Sequence, residues 1–256
     1  MKLSCSSALL AGAGAQSLDD MVVRAAALGV NGILLDLPAT HHDPAAFSFR
    51  TSAQLVLHAQ ANAIEWHCVH GAPCAAGRGA QQGEELKRLV CIAHALACPL
   101  VCFTAPAAAL DDAYDGLVAM VQDAVDIAQD LDICLAIEPA ADTLIRTADH
   151  AVDFVDDVAC RNLGIVYNPG TLAQSGGEEP AAAVAMLRDY LLLVCLQGAD
   201  LLAIQRNEFD HAVRVVQRTG YHEYYADCSV CATADPPPYV LEQITANARH
   251  MRGMAL

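Results

Sequence analysis

Residues Pro99–Glu138 read PLVCFTAPAAALDDAYDGLVAMVQDAVDIAQDLDICLAIE, and the fold is predicted from this pattern. Two short aliphatic runs, PLVCFT and ICLAIE, flank a longer stretch, Asp111–Leu131, whose apolar residues recur with a helical period. Short, nearly continuous aliphatic runs are typical of strands that are buried on both faces of a parallel sheet. The stretch therefore predicts a strand, a helix and a second strand parallel to the first.

The same alternation extends in both directions along the chain. Six further runs are predicted as strands: Lys2–Cys5, Asn31–Leu37, Ile64–His70, Leu163–Tyr167, Leu191–Leu196 and Glu223–Cys228. Each predicted strand is followed by a stretch of helical period, the last of which is Pro236–His250. Eight such units predict one domain over residues 1–256, a single (β/α)8 TIM barrel, for which about 250 residues are typical. A doubly wound open sheet is the alternative.

The composition bears on partners and location. A net charge of −16 opposes binding to the phosphates of nucleic acids, and no apolar stretch reaches the roughly 18 residues of a membrane helix. No G-x-G-x-x-G or Walker-type loop follows a predicted strand, so nucleotide binding has no support. The eleven cysteines are scattered and lie mostly in apolar runs, which predicts reduced thiols and a cytoplasmic protein. A homo-oligomer is compatible with the sequence.

Barrel active sites lie at the carboxyl ends of the strands, so the strand ends supply the candidate residues. Glu138 ends an apolar strand and precedes Pro139, so its carboxylate is expected in the barrel mouth. There it could bind a metal or take a proton from carbon, whereas a salt bridge to Arg or Lys is the structural alternative. His70, followed by Gly71, is the second candidate. His67 is expected on the opposite strand face from His70.

Cysteines supply a further set of candidates. Cys228 and Cys231 form a CxxC after the last strand, which is half of a zinc site without a second pair at the usual spacing. A soft metal site that joins Cys195 and Cys228 to Glu138 is conceivable, because the strands meet around the barrel axis. The tandem His41 and His42 are interpreted as part of a solvated loop.

Several segments resemble the xylose-isomerase-like sugar isomerase and epimerase superfamily, which includes the apurinic-site endonucleases. LAIEPA resembles the family's fifth strand, and NLGIVYNPGTLAQSGGEEP resembles the segment around its sixth strand. LLLVCLQGAD and EFDHAVRVVQRTGYHEYYADC resemble the seventh strand and the ending of the fold. Together with KLSCSSALL and AAALGVNGILLDL, the resemblance covers most of the chain.

The chain departs from the family at the residues that the resemblance identifies as metal ligands. Glu138 matches the family's first metal-binding and acid–base Glu. The family's sixth-strand Asp is Asn168, its seventh-strand His falls at Cys195, and its last Glu falls at Cys228, one residue after Asp227. The family's next Lys falls at Gln197. These replacements remove most of the oxygen ligands that Mg²⁺ or Mn²⁺ prefers.

The resemblance implies an isomerase, epimerase or lyase that moves a proton on a small hydroxy-carbonyl compound of the sugar or polyol type. In this hypothesis Glu138 and His70 are catalytic, and Asn168, Gln197 and Asp227 bind the substrate. The cofactor is either a divalent metal (Mn, Mg or Zn) or none. The alternative function is a catalytically degenerate, metal-free barrel that binds a small molecule or serves as a scaffold.

Overall fold

A computed structural model of the chain describes residues 1–37, 47–71, 80–107, 113–175, 179–196, 206–228 and 238–254. Eight parallel strands form a closed barrel in sequence order. The strands are β1 (Lys2–Ser6), β2 (Gly32–Asp36), β3 (Glu65–Gly71), β4 (Leu100–Thr104), β5 (Cys134–Glu138), β6 (Leu163–Tyr167), β7 (Leu191–Leu196) and β8 (Tyr224–Asp227). Pairing of β8 with β1 closes the sheet. The predicted barrel is thereby confirmed, and the open doubly wound alternative is wrong.

Helices connect the strands. They are α1 (Ser7–Gly12), α2 (Leu18–Leu28), α3 (Phe49–Ala61), α4 (Ala80–Ala95), α5 (Ala113–Asp130), α6 (Ala148–Val158), α7 (Pro169–Gln174), α8 (Pro180–Leu187), α9 (Arg206–Gln217) and α10 (Pro238–Met254). Helix α2 begins after Ser17, whose hydroxyl accepts from Asp20 N, and ends at Gly29 in the left-handed conformation. The sequence pattern did not predict the short helices α1 and α7. None of the described helices is long and apolar enough to cross a membrane.

Two apolar clusters form the core. The larger one fills the layer between the sheet and the helices, and it contains the fully buried Phe103, Phe154 and Tyr225. The smaller one fills the barrel interior with residues from seven strands: Leu34, Cys68, Leu100, Cys102, Ala136, Val166, Leu193, Cys195 and Ala226. Strand β1 adds the buried Ser4 and Ser6. Because alanine and cysteine are small, the interior needs few aromatic residues, in agreement with an aromatic content of 5%.

Two bulges shape the sheet at positions four strands apart. Between β2 and β3, Ile33 pairs with Trp66 and Leu34 with Cys68, so His67 is an extra residue. A Cβ atom on Gly32 would lie 2.6 Å from the carbonyl oxygen of Glu65 and 2.6 Å from the His67 ring.

The second bulge repeats this arrangement between β6 and β7. Ile165 pairs with Leu191 and Val166 with Leu193, so Leu192 is the extra residue. A Cβ atom on Gly164 would lie 2.5 Å from the Tyr190 carbonyl oxygen and 2.6 Å from the Leu192 side chain. At both places, glycine provides the room that the bulged strand occupies.

A polar cluster lies at the amino-terminal end of the barrel. Lys2 Nζ lies 2.5 Å from Glu65 Oε2, and His67 Nε2 lies 3.4 Å from the same oxygen. The His67 ring packs edge-on against the Tyr224 ring, with 5.0 Å between the centroids. Burial is the main cause that lowers the pKa of His67 to about 4; the nearby Lys2 charge contributes to the shift, and Glu65 opposes it. His67 is therefore a neutral core residue near neutral pH.

The His67 pKa predicts a pH dependence of stability. Its folded-state pKa lies below the unfolded value, so the unfolded chain binds more protons, and stability is lost as the pH falls from about 6.5 toward about 4. We expect wild-type protein to lose up to about 1.4 kcal/mol per pH unit more than His67→Phe between about pH 6.5 and about pH 5. Urea unfolding followed by circular dichroism measures the difference. Equal pH dependence of the two proteins would contradict the neutral, buried state of His67.

Candidate active site

Strand register places five polar or thiol side chains near one another at the carboxyl end of the barrel. Asp36 pairs with His70 between β2 and β3, and His70 pairs with Cys102 between β3 and β4. Thr104 pairs with Glu138 at the ends of β4 and β5. Because the strands are parallel and adjacent, residues far apart in sequence share one face of the barrel.

Glu138 lies at the centre of this group, and its two carboxylate oxygens have different neighbours. Oε1 accepts a hydrogen bond from Asn168 Nδ2 at 2.8 Å. Oε2 lies 3.9 Å from the Cys102 thiol. The structural alternative for Glu138, a salt bridge to Arg or Lys, is not found among the described residues. The carboxylate is instead held by an uncharged donor on one side.

The orientation of Asn168 is fixed by the helix that follows it. Asn168 is 2% exposed and is the N-cap of α7, where its Oδ1 accepts from Gly170 N at 3.0 Å and from Thr171 N at 3.4 Å. Pro169 occupies the first helical position. Because the oxygen caps the helix, the amide nitrogen is directed to Glu138. A single side chain thus joins the start of α7 to the candidate catalytic carboxylate.

His70 and Asp36 form a second pair beside Glu138. His70 Nδ1 lies 3.5 Å from Asp36 Oδ1. Burial alone would lower the pKa of His70, but the bond to Asp36 and the charges of Asp36 and Glu138 outweigh it and raise the pKa to about 9. The other ring nitrogen, Nε2, is buried and has no hydrogen-bond partner in the described structure.

Four cysteine thiols lie close to one another beside this site: Cys68, Cys102, Cys195 and Cys228. A hydrogen bond to the Cys68 thiol, together with burial, raises the pKa of Cys102 well above its usual range. A hydrogen bond to the Cys228 thiol, together with burial, raises the pKa of Cys195 in the same way. The hydrogen bond to Cys195 lowers the pKa of Cys228, but burial and the charges of Glu138 and Asp227 outweigh it, so that the pKa is raised overall. All of the described cysteines are free thiols, and Cys102, Cys195 and Cys228 are neutral at ordinary pH.

One group with metal-binding spacing occurs among the residues that the structure describes. A ring nitrogen of His70, the Cys102 sulfur and a Glu138 oxygen all lie within 4.8 Å of one another. Cys195 and Cys228 are the other two predicted metal ligands. Their thiols form a hydrogen bond with each other, and they do not belong to this group. The structure brings Glu138 together with the Cys102 thiol of β4. The charge of Glu138 also acts on Cys195 and Cys228, and a site that joins those two thiols to Glu138 stays a prediction.

The donors do not fit the Mg²⁺ or Mn²⁺ ion that the family resemblance implies. At the sixth-strand position Asn168 directs an amide N–H toward Glu138, while its oxygen caps α7. At the seventh and eighth positions the donors are neutral thiols, and these hard cations prefer oxygen. One carboxylate, Glu138, remains of the family's oxygen ligands.

The other predicted residues lie elsewhere. Asp227 is fully buried, and strand alternation places it on the face opposite Ala226, next to Cys5, whose pKa its charge helps to raise. Gln197, Cys231 and the pair His41 and His42 lie outside the described residues.

Two residues of the site were given no role by sequence reasoning. Asp36 is the last residue of β2, and its place at a strand end marks it as a candidate for the barrel mouth. Cys102 lies inside the apolar run LVCFT, and nothing in that run distinguishes it from a core thiol. Only the pairing of His70 with Cys102 reveals its role.

Comparisons with known proteins agree with the geometry of the fold. D-allulose 3-epimerase from Methylomonas sp. superposes with a TM-score of 0.80 at 16% identity, covering 100% of this chain and 98% of the other. The 3-keto-D-glucoside 4-epimerase of E. coli gives 0.75 at 11% identity, covering 99% of both chains. A probable 3-DHS dehydratase of Bacillus anthracis gives 0.76 at 15% identity, covering 98% of this chain and 99% of the other. At such identities the likeness shows the fold alone.

Sequence comparison gives the family directly. No curated protein matches the chain. The profile described as xylose isomerase-like TIM barrel matches residues 22–241, which is most of the sequence. The structure agrees with this match, because it is a closed eight-stranded parallel barrel. The chain belongs to the xylose isomerase-like TIM barrel family.

Proposed function

We propose that the protein is an isomerase, epimerase or lyase that moves a proton on a small hydroxy-carbonyl substrate of the sugar or polyol type. The observation that carries the proposal is the surroundings of the Glu138 carboxylate. The fixed Asn168 amide donates a hydrogen bond to one of its oxygens, and the His70 ring lies close by. A carboxylate in such a setting is a suitable base for a carbon acid. The shared fold with two sugar epimerases supports the same class of substrate.

In the proposed reaction, Glu138 removes a proton from the carbon next to the substrate carbonyl. The electron pair of the broken C–H bond moves to the carbonyl oxygen, which takes a hydrogen bond or a proton from His70 Nε2. Return of the proton from Glu138 to the neighbouring carbon completes an isomerisation, whereas an epimerisation is completed by an acid that delivers a proton to the opposite face of the same carbon. Asn168 positions Glu138, and Asp36 orients His70. Gln197 remains a predicted substrate-binding residue, whereas Asp227, buried beside Cys5 on the face opposite Ala226, has no part in this reaction.

The charges in the sequence segments that follow the strands favour an unphosphorylated substrate. The segments between each strand end and the next long helix contain two basic residues, Arg78 and Arg146, and eight acidic ones. Asp36 and Glu138 add negative charge at the strand ends themselves. Phosphate groups are bound by Arg, Lys or helix N-termini, so the arrangement disfavours a sugar phosphate and favours a neutral ketose or polyol derivative.

Hydrogen exchange in heavy water tests the proposed function without knowledge of the product. A panel of neutral ketoses, aldoses and keto-polyols, with phosphorylated counterparts, is incubated with the protein in D₂O and followed by proton NMR. We expect deuterium to enter the carbon next to the carbonyl of at least one neutral compound. Exchange with the phosphorylated compounds alone would contradict the proposed substrate class.

The second candidate function is a metal-free barrel that binds or scaffolds without chemistry. It is favoured by the replacement of the family's oxygen ligands by Asn168, Cys195 and Cys228. A neutral compound that raises the unfolding temperature but shows no exchange of its carbon-bound hydrogens would support this function and refute catalysis on that compound.

Asn168→Asp separates the two tasks of this side chain. Aspartate keeps the oxygen that caps α7 but directs a second oxygen, in place of the N–H donor, toward Glu138. We expect the free energy of unfolding to fall by about 1–3 kcal/mol, because the partly buried Glu138 loses its donor and also faces a second carboxylate. Urea unfolding measures the loss. Asn168→Ser, which retains a capping hydroxyl without a facing carboxylate, should lose less, and a larger loss in that variant would contradict the argument.

A further inference from the structure

We propose that Thr104 binds the hydroxyl group on the carbon whose proton is exchanged, and that it thereby restricts the substrate to α-hydroxy aldehydes and α-hydroxy ketones. The inference rests on the proposed function and deepens it by naming the class of substrate and the residue that selects it. Thr104 is the last residue of β4. The proposal follows from where its side chain stands relative to His70 and Glu138.

Strand alternation directs the Thr104 side chain into the barrel mouth. Cys102, two residues earlier on β4, belongs to the apolar cluster that fills the barrel interior, and residues two apart in a strand share one face. The same rule places Glu138 above Ala136 on β5. Thr104 and Glu138 thus stand in the layer of side chains directly above the apolar interior, at the end of the barrel where active sites form.

Thr104 stands between the two groups that perform the proposed proton transfer. On one side it pairs with Glu138, the proposed base on β5. On the other side β4 pairs with β3, where His70 lies opposite Cys102. Because β3, β4 and β5 are consecutive strands of the barrel, the proposed donor, the hydroxyl and the proposed base follow one another around the mouth.

The Thr104 hydroxyl contributes little to holding the barrel together. Thr104 is partly exposed, whereas the four residues before it in β4 are buried. Among the residues that the structure describes, its hydroxyl forms no hydrogen bond. Asn168 differs in this respect, because its side chain both caps α7 and donates to Glu138. A hydroxyl donates one hydrogen bond and accepts others, so it suits the oxygen of a substrate hydroxyl.

The order of the three groups matches the order of atoms in an α-hydroxy carbonyl compound. In the proposed reaction His70 faces the carbonyl oxygen, and Glu138 takes the hydrogen from the next carbon. An α-hydroxy compound carries a hydroxyl on that same carbon. The electron pair of the broken C–H bond forms a double bond between the two carbons, which gives an enediolate with one oxygen on each. His70 and Thr104, on neighbouring strands, then each bind one of these oxygens.

This contact predicts selection by a single hydroxyl group. A site that hydrogen-bonds a substrate hydroxyl disfavours the analogue that lacks it, because a polar group of the site loses its partner. A hydrogen bond between neutral groups contributes about tenfold to the rate. Substrates with a hydrogen or an alkyl group in place of the α-hydroxyl should therefore react more slowly for a reason that is located at Thr104.

Proton exchange with matched compounds tests the contact. Each neutral ketose of the exchange panel, beginning with D-fructose, is compared in D₂O with its 1-deoxy and 3-deoxy counterparts. Wild type, Thr104→Val and Thr104→Ser are measured by proton NMR. The preference for the hydroxylated compound, expressed as a ratio of kcat/KM values, should shrink about tenfold in Thr104→Val and persist in Thr104→Ser. Comparing this ratio between proteins cancels the intrinsic difference in C–H acidity between the compounds.

The outcomes separate the role of Thr104 from the proposed function. A Thr104→Val protein that still exchanges and keeps the wild-type preference would overturn the inference and leave the proposed function standing. An equal loss of rate on the hydroxylated and the deoxy compound would also overturn it, because Thr104 would then act on the base rather than on the substrate. No exchange by wild type on any compound would refute the proposed function and the inference with it. Circular dichroism verifies that both variants are folded.

Discussion

Glu138→Gln should abolish proton exchange while leaving the barrel folded. The substitution keeps the shape of the side chain and an oxygen that can accept from Asn168 Nδ2, but it removes the base that takes the substrate proton. We expect the rate of deuterium incorporation to fall by about 100- to 10,000-fold, the usual contribution of a positioned general base. Proton NMR of the exchanging compound measures the rate, and binding of the compound should persist in the variant.

Asp142→Asn is the matched control for Glu138→Gln. Asp142 is an exposed carboxylate in the same segment after β5, and its backbone φ of 61° is tolerated by asparagine. Its loss should change the exchange rate little. A Glu138→Gln protein that exchanges hydrogen as fast as wild type would show that another group is the base, and the proposed role of Glu138 would be wrong.

Gly164→Ala should cause the largest loss of stability among single-methyl additions to this barrel. The new Cβ atom would lie 2.5 Å from the carbonyl oxygen of Tyr190, which itself accepts from Ile165 N at 2.8 Å. Backbone cannot move aside as a flexible side chain does, so β6 and β7 must separate locally. We expect a loss of about 3 kcal/mol, the upper end of the usual cost of overpacking. Chemical denaturation followed by circular dichroism gives the value.

Gly116→Ala provides the control for this prediction. Gly116 lies on the exposed face of α5, and a Cβ atom there would meet nothing within 4 Å. Alanine favours the helix over glycine, so the variant should gain about 0.5–1 kcal/mol. Two glycine-to-alanine changes would then shift stability in opposite directions. A Gly164→Ala protein as stable as wild type would contradict the tight contact between the two strands.

The fold could be predicted from the sequence because its signals are local. The runs PLVCFT and ICLAIE lie on both sides of a helical stretch, and the structure places β4, α5 and β5 within those ranges. The bulges were not predicted, because they depend on pairing between strands. Gly32 and Gly164 look like ordinary small residues until the extra residues His67 and Leu192 are seen opposite them.

The candidate site could be predicted only in part. Glu138 and His70 were identified from their positions at strand ends, and the structure brings them together. Cys102 was not identified, because its neighbours in sequence are all apolar and its partners lie on β3 and β5. The sequence also gave no reason to join Asn168 to Glu138 directly, since the 2.8 Å bond crosses from β6 to β5. Contacts between strands decide such pairs, and a single sequence does not contain them.

The order Asn168–Pro169 has a consequence for the chemical ageing of the protein. Spontaneous deamidation of asparagine normally begins when the backbone nitrogen of the next residue attacks the side-chain amide. Proline has no N–H group and cannot form the cyclic imide in this way. Asn168, whose slow hydrolysis would place a carboxylate against Glu138, is therefore protected from the usual route. Stored protein should keep its neutral amide at this position long after exposed asparagines have begun to hydrolyse.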